Sequence, residues 1–359
     1  DGLDRPSLLP PTAGSGSIVT AMKEENYDLF AGYAYRKRGN YHAGKHGPSA
    51  EPVNVGPRRV CNTSGSWCDN WPSYVENGGL TNYRAGEEVL NTQLQTESYL
   101  TKGTFRFDGG HELQLGYTGF RSEAGDLLAS RFTDDRSQPV QQEQTSGAKL
   151  DTGTLRYRWN PDDNDLIDMK ASLWLTKLEM RNPRRGSPIP TSESVGLPSG
   201  YRTGADTVMW GGDISNTSSF DLSRYGSVDL TYGASYLNED TKPSGYTDLL
   251  EGWLKLPNVS REEAAVYTKL GYKPVDGLTL NAGLRYSHYS SHNRGESSNV
   301  EEEPSDRSQG GISPTAGVVV EPFDGAQLYV NYSNALRFPS TVESMGVFTV
   351  IQPDLAPER

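Results

Sequence analysis

No stretch of this sequence approaches the ~20 consecutive apolar residues that a membrane-crossing helix needs, and only 34% of its 359 residues are hydrophobic. A helical membrane protein is thereby excluded. Positive charge is also short, with a formal net charge of -12, which argues against a nucleic-acid partner because such a partner requires a basic patch. The opening Asp1-Gly2-Leu3-Asp4 lacks a basic segment followed by an apolar one, so the chain is expected to begin inside a larger precursor. No hydrolytic triad or nucleotide loop stands out, and no carboxylate pair can be set across a substrate, so an enzyme is not expected. Cysteine is nearly missing: Cys61 and Cys68 lie in a polar stretch rich in Asn, Ser, Gly and Trp. A local disulfide there would clip one loop in an oxidising compartment, the alternative being two free thiols.

What is present is alternation with a period of two, the signature of strands with unlike faces. Tyr27, Leu29, Ala31, Tyr33 and Tyr35 share one face, opposite Asp28, Phe30, Gly32, Ala34 and Arg36. The pattern returns at Leu113 to Tyr117, at Val228 to Tyr236 and at Leu278 to Tyr286. One face is apolar with aromatics near its ends, and the other is polar or tiny. A soluble sandwich would show the same alternation, so connection lengths have to decide.

Very short turns (Lys23 to Asn26, Asp108 to His111, Asn160 to Asn164, Ser223 to Gly226, Val275 to Gly277, Phe323 to Gly325) alternate with long polar segments. The latter run approximately from Asn40 to Val89, Ser122 to Gly147, Arg181 to Gly204, Asp240 to Arg261, Ser291 to Gly310 and from Pro339 onward. That alternation puts all tight turns at one end and all long loops at the other, as in transmembrane barrels with short periplasmic turns and long extracellular loops. The echo Pro274-Val275-Asp276-Gly277 and Pro322-Phe323-Asp324-Gly325 supports the register, since Asp-Gly suits a tight hairpin. Roughly twelve antiparallel strands are expected from about Ser15 to Leu336, the weakest being Met209 to Asp221, with Ile214, Asn216, Ser218 and Phe220 facing lipid. Arg36, Lys102, Arg106, Arg156, Arg158, Asp168, Lys170, Asp229 and Lys269 then face the interior, which is tolerable only if that interior is hydrated.

The segment Asn331-Tyr332-Ser333-Asn334-Ala335-Leu336-Arg337-Phe338-Pro339-Ser340, followed by Gln352-Pro353-Asp354-Leu355, resembles the paired Phe-Arg-Ala-Pro and Asn-Pro-Asp-Leu boxes of TonB-dependent receptors for haem and haemoproteins. Gly86 to Thr92, Ser98-Tyr99-Leu100 and the strand ending Gly283-Leu284-Arg285-Tyr286 are similar to barrel segments of that family in their usual order. The resemblance implies an all-β outer-membrane barrel fragment of a Gram-negative bacterium, residues 1–359 supplying about twelve of ~22 strands. These would be approximately strands 2 to 13, ending in the seventh extracellular loop. A plug domain and the TonB-contacting segment would precede the chain. The function implied is active uptake of an iron source, haem or a haemoprotein being favoured. The alternatives are a ferric siderophore receptor or, further off, a passive porin-like channel or a soluble sandwich module.

Arg337, Phe338, Pro339, Ser340, Phe348, Gln352, Pro353, Asp354 and Leu355 are the candidate ligand-binding residues, with Phe338 and Phe348 expected to stack on a porphyrin. Neither His nor Tyr occurs between Pro339 and Gln352. A haem iron is therefore expected to take its axial ligand from outside this loop, on the plug. His288 and His292 have metal-pair spacing, yet parity turns His288 away from the interior, and no metal site is assigned. His42 and His46 are candidate loop contacts. Trp67 and Trp71, with Tyr74, are candidate anchors for a protein or lipopolysaccharide partner. Glu301-Glu302-Glu303 with Asp306 reads as a solvated loop. No intrinsic cofactor is expected; haem or an iron chelate would be the transported ligand, and the TonB complex would be reached through the plug.

Overall fold

A computed structural model describes residues 13–42, 53–54, 56–61, 68–71, 75–76, 88–89, 92–125, 145–183, 202–244, 258–294, 306–339 and 358. Twelve strands form one antiparallel sheet in chain order. They are β1 (Gly14–Lys23), β2 (Tyr27–Arg38), β9 (Leu94–Phe107), β10 (His111–Ala124), β11 (Ser146–Trp159), β12 (Asp168–Pro183), β13 (Arg202–Asp221), β14 (Ser227–Ser244), β15 (Val259–Val275), β16 (Leu278–Asn293), β17 (Asp306–Phe323) and β18 (Ala326–Ser333). Six short strands lie between β2 and β9. These are β3 (Tyr41–His42), β4 (Val53–Asn54), β5 (Arg58–Cys61), β6 (Cys68–Trp71), β7 (Val75–Glu76) and β8 (Glu88–Val89), paired β3 with β8, β4 with β7 and β5 with β6. The nested pairing makes these six strands a single hairpin arm.

The expected alternation of short and long connections is present. Gly277 and Gly325 take φ of 76° and 87°, the left-handed conformation that tight Asp-Gly turns require and that glycine adopts without strain. The strands reach further toward the long loops than the sequence suggests, β13 starting at Arg202 and β14 running to Ser244. Beyond a membrane no alternation is needed, so that extension leaves no apolar periodicity to read. The β11–β12 turn also extends through Ile167, because β12 starts at Asp168.

Cross-strand register places like with like. Leu29, Leu115, Leu173, Ile214, Val266 and Leu284 fall on one face together with Tyr33, Tyr99, Trp210, Tyr236 and Tyr286, and all of them are exposed. So much exposed apolar surface is stable only against lipid or a partner. Near the long-loop end this face pairs Tyr33 with Tyr99 and Trp210 with Tyr236, each at ring centroids 5.2 Å apart. Near the short-turn end His111 stacks on Trp159 at 5.5 Å. Two aromatic girdles around an apolar band match a barrel at the two interfaces of a membrane.

The opposite face is polar and internally bonded. Thr152 meets Thr176, Thr207 meets Thr241 and Thr217 meets Thr231 at 3.0, 2.9 and 2.9 Å between hydroxyls. Arg158 and Lys170 converge on Asp168 at 2.7 and 3.0 Å, and Arg106 pairs with Asp28. Every charged position assigned to the interior from the sequence lies on this face by register.

Candidate functional site

The apolar burial among the described residues gathers in one place: Val259, Ala265, Tyr289 and Phe338. The first three project from β15 and β16 on the polar, inward face, toward the long-loop end. The fourth comes from the chain beyond β18. After Ser333 the backbone turns back over the inward side of the wall. The Asn334 amide donates to the Pro314 carbonyl at 3.1 Å, and the Leu336 amide donates to the Ser313 hydroxyl at 3.2 Å. Leu336 fits because Gly311 has no side chain: a Cβ there would stand 2.6 Å from Leu336 Cδ2. Phe338 then lies on Tyr289, ring centroids 5.1 Å apart and planes 8° from parallel. Arg261 Nη1 donates to the Pro339 carbonyl at 3.3 Å. In six residues the chain crosses β17, β16 and β15.

Charge holds the anchor in place. Arg261 Nε stands 3.4 Å from Glu239 Oε2, with the two side chains only 16% and 13% exposed, and the Arg261 guanidinium lies 6.0 Å from the Tyr289 ring centre. Arg285, four residues deeper than Tyr289 on the same face of β16, lies 5.7 Å from the Tyr267 ring centre and donates to Ser287 and Ser235 hydroxyls at 3.0 and 3.1 Å. Arg337 forms a backbone bridge with Glu358, each amide donating to the other's carbonyl at 3.0 Å, and its Nε stands 2.9 Å from Glu358 Oε2. The 20 residues between them therefore leave and return at one point of the rim.

Of the candidate ligand-binding residues, Arg337, Phe338 and Pro339 are described, and Phe338 is 5% exposed with one ring face covered by Tyr289. Ser340, Phe348, Gln352, Pro353, Asp354 and Leu355 lie outside the described residues, as do His46, Trp67 and Tyr74. His42 and Trp71 occupy β3 and β6. His288 and His292 both fall on the outward face by register, beside Gly310 and Asp306. His288 Nε2 is 3.1 Å from the Ser308 hydroxyl and His292 pairs with Asp306; no group of metal-binding side chains occurs among the described residues. Cys61 stands opposite Cys68 in the β5–β6 register, within the Cα separation that a disulfide spans.

Sequence reasoning missed two parts. Tyr289, Arg261 and Glu239 lie 49, 77 and 99 positions before Phe338, and only register reveals that they share a face. The second is the root of the arm. Asn40 Oδ1 accepts from the Thr92 and Gln93 amides at 2.9 and 3.1 Å while its Nδ2 donates to Glu88 Oε1 at 2.9 Å. Thr92 is fully buried and its hydroxyl accepts from the Tyr41 amide at 3.0 Å.

Comparison with known proteins follows the same lines. Residues 90–359 match the family model described as TonB dependent receptor-like, beta-barrel. A hemophilin receptor of Acinetobacter baumannii is 30% identical over 287 residues, covering 77% of this chain and 25% of that protein. The chain thus spans about a quarter of the length of this relative. The Serratia marcescens hemophore receptor HasR, solved with its hemophore HasA and heme, superposes with a TM-score of 0.60 at 19% identity, covering 93% of this chain and 44% of that one. The FrpB iron transporter of Neisseria meningitidis gives 0.62 at 18%, covering 91% and 45%.

Proposed function

The chain belongs to the TonB-dependent receptor β-barrel family, and from that premise we propose that the protein containing it is an outer-membrane receptor for active uptake of an iron source, haem or a haemoprotein in particular. The family is one of transport receptors, not enzymes. The observation that carries the haem reading is the 30% identity to a hemophilin receptor, to which the two loop boxes add support. A scarce ligand has to be captured before it is moved, so binding belongs to the long-loop end, where Arg337 and Glu358 are bridged. The hydrated inward face, with its paired charges and hydroxyls, would then flank the route once energy from the TonB complex moves the plug. Arg337, Phe338 and Pro339 serve this site by fixing the root of the loop; Phe348 and the Gln352 to Leu355 box supply surface toward the ligand.

A ferric chelate is the second reading, and one observation favours it: residues 339–352 contain no His or Tyr to ligate haem iron. Growth of an iron-starved strain separates the two. With no redundant receptor present, deletion of the gene should abolish growth on haem or haemoprotein and leave growth on ferric siderophores intact. Unchanged growth on haem would remove the haem reading.

A further inference from the structure

Several cations of the inward face are compensated where they stand. Arg106 pairs with Asp28, and Arg158 and Lys170 share Asp168. Arg285, midway along β16, is not. Its register neighbours are Tyr267 and Ser313 directly across, with Ala265, Lys269, Gly311 and Thr315 on the diagonals, and none of them bears a carboxylate. The one charged neighbour, Lys269, has the same sign. Ser313 is also the residue whose hydroxyl receives the Leu336 amide, so Arg285 lies beside the point where the chain beyond β18 crosses the wall.

The wall orients this guanidinium without neutralising it. Tyr267 stands opposite Gly233, where a Cβ would come within 2.7 Å of Tyr267 Oη, so the ring lies along the wall. Arg285 is half-buried near that ring, and its Nε and Nη2 donate to the Ser287 and Ser235 hydroxyls. Nη1 makes no hydrogen bond among the described residues. Lys269 is diagonal to Asp229 across β14 but leans the other way: its Cγ is 3.5 Å from the place a Gly283 Cβ would take, on the strand that carries Arg285. Asp229 instead accepts from the Ser219 hydroxyl at 2.7 Å. Lys269 is exposed and forms no ion pair among the described residues.

We propose that Arg285, with Lys269 one step deeper, is a carboxylate-binding subsite on the inner wall, where an acidic group of the transported ligand rests after it leaves the loops. A guanidinium meets a carboxylate with two parallel N–H groups. Nη1 and the second hydrogen of Nη2 supply that pair. The propionates of haem and the carboxylates of a ferric chelate present the same group, so the proposal rests on the uptake reading above but not on which of the two ligands is carried.

The test measures initial uptake rates in iron-starved cells carrying the full-length receptor, with haem, haem dimethyl ester, ferric citrate and a ferric hydroxamate that has no carboxylate. Loss of a charge-assisted hydrogen bond should make Arg285→Gln take up haem or ferric citrate about tenfold more slowly. Haem dimethyl ester and the hydroxamate should change less than about twofold, and so should equilibrium binding of haem at the cell surface. Lys269→Gln should slow the acidic ligands about threefold; because Lys269 is exposed and unbonded, this variant carries the test should Arg285→Gln fail to fold. Equal slowing of haem and its dimethyl ester would mark Arg285 as a partner of the plug and overturn the proposal, as would unchanged rates in both variants. Uptake of ferric citrate but not haem removes the haem reading alone, since ferric citrate then reads the same subsite. Failure of the uptake reading looks different: the unaltered receptor would carry none of the four, and the subsite would fall with it.

Discussion

Phe338 and Tyr289 lie face to face, 5.1 Å between ring centroids, although the first follows the last strand of the sheet and the second stands on β16. The stack pins the root of a loop to the inner wall. It is the buried fastening there, because the Arg337–Glu358 link is solvent-exposed and the amide bridge it accompanies involves one point only.

The two fastenings differ in strength, and their removal should differ accordingly. Deleting a buried phenylalanine ring costs about 3–5 kcal/mol, whereas an exposed ion pair contributes at most about 1 kcal/mol. Phe338→Ala should raise the rate of proteolytic cleavage within residues 340–357 of the full receptor about a hundredfold, and Arg337→Ala less than about fivefold. Equal effects would show that the ion pair, not the stack, anchors the loop.

Face assignment is open to a direct test at adjacent positions of β13. Ile214 points outward in the apolar band and Ser215 inward. Ile214→Lys should destabilise the folded barrel by about 2–4 kcal/mol, and Ser215→Lys should be nearly neutral. Unfolding in denaturant from lipid vesicles measures both; the reverse order would mean the register is wrong by one residue.

At the root of the arm, Asn40→Ala leaves the Thr92 and Gln93 amides without their acceptor, at about 1–3 kcal/mol for each buried donor. Exchange of those two amides should accelerate at least about tenfold, and the double variant Asn40→Asp/Glu88→Gln, which keeps the accepting oxygen and restores a donor between the two side chains, should recover most of the protection. Unaltered exchange in the alanine variant would mean that the strand ladder alone fixes the arm.

Cys61 and Cys68 face each other across β5 and β6, and the prediction is a bond between them on the outer surface. On intact cells an impermeant maleimide should label neither residue before reduction and both afterwards. Labelling of both without reductant would contradict the bond.

Strand positions and faces were legible because the apolar side meets lipid and the other meets water, so period-two alternation persists through each span. β13 was the faintest strand for a reason that only the structure supplies. Its outward Asn216 and Ser218 are polar, and both donate to the Leu166 carbonyl, at 2.9 and 2.8 Å. The β11–β12 turn folds over them and satisfies groups that lipid could not. The arm escaped notice because its pairs are two to four residues long in a polar setting, too short for periodicity. The loop boxes were visible as a motif, but the partners of Phe338 were not, since no local signal couples it to Arg261 or Tyr289.

β2 and β9 are neighbours in the wall although the 41–89 arm intervenes between them. From the wall's standpoint the arm is an insertion of arbitrary length: the β2–β9 register is set below it, and the entropy of closing a longer segment grows only with the logarithm of its length. The arm and the wall can therefore diverge independently. An arm exchanged between relatives at the Asn40 and Thr92 junction should leave the host barrel inserting and folding as before.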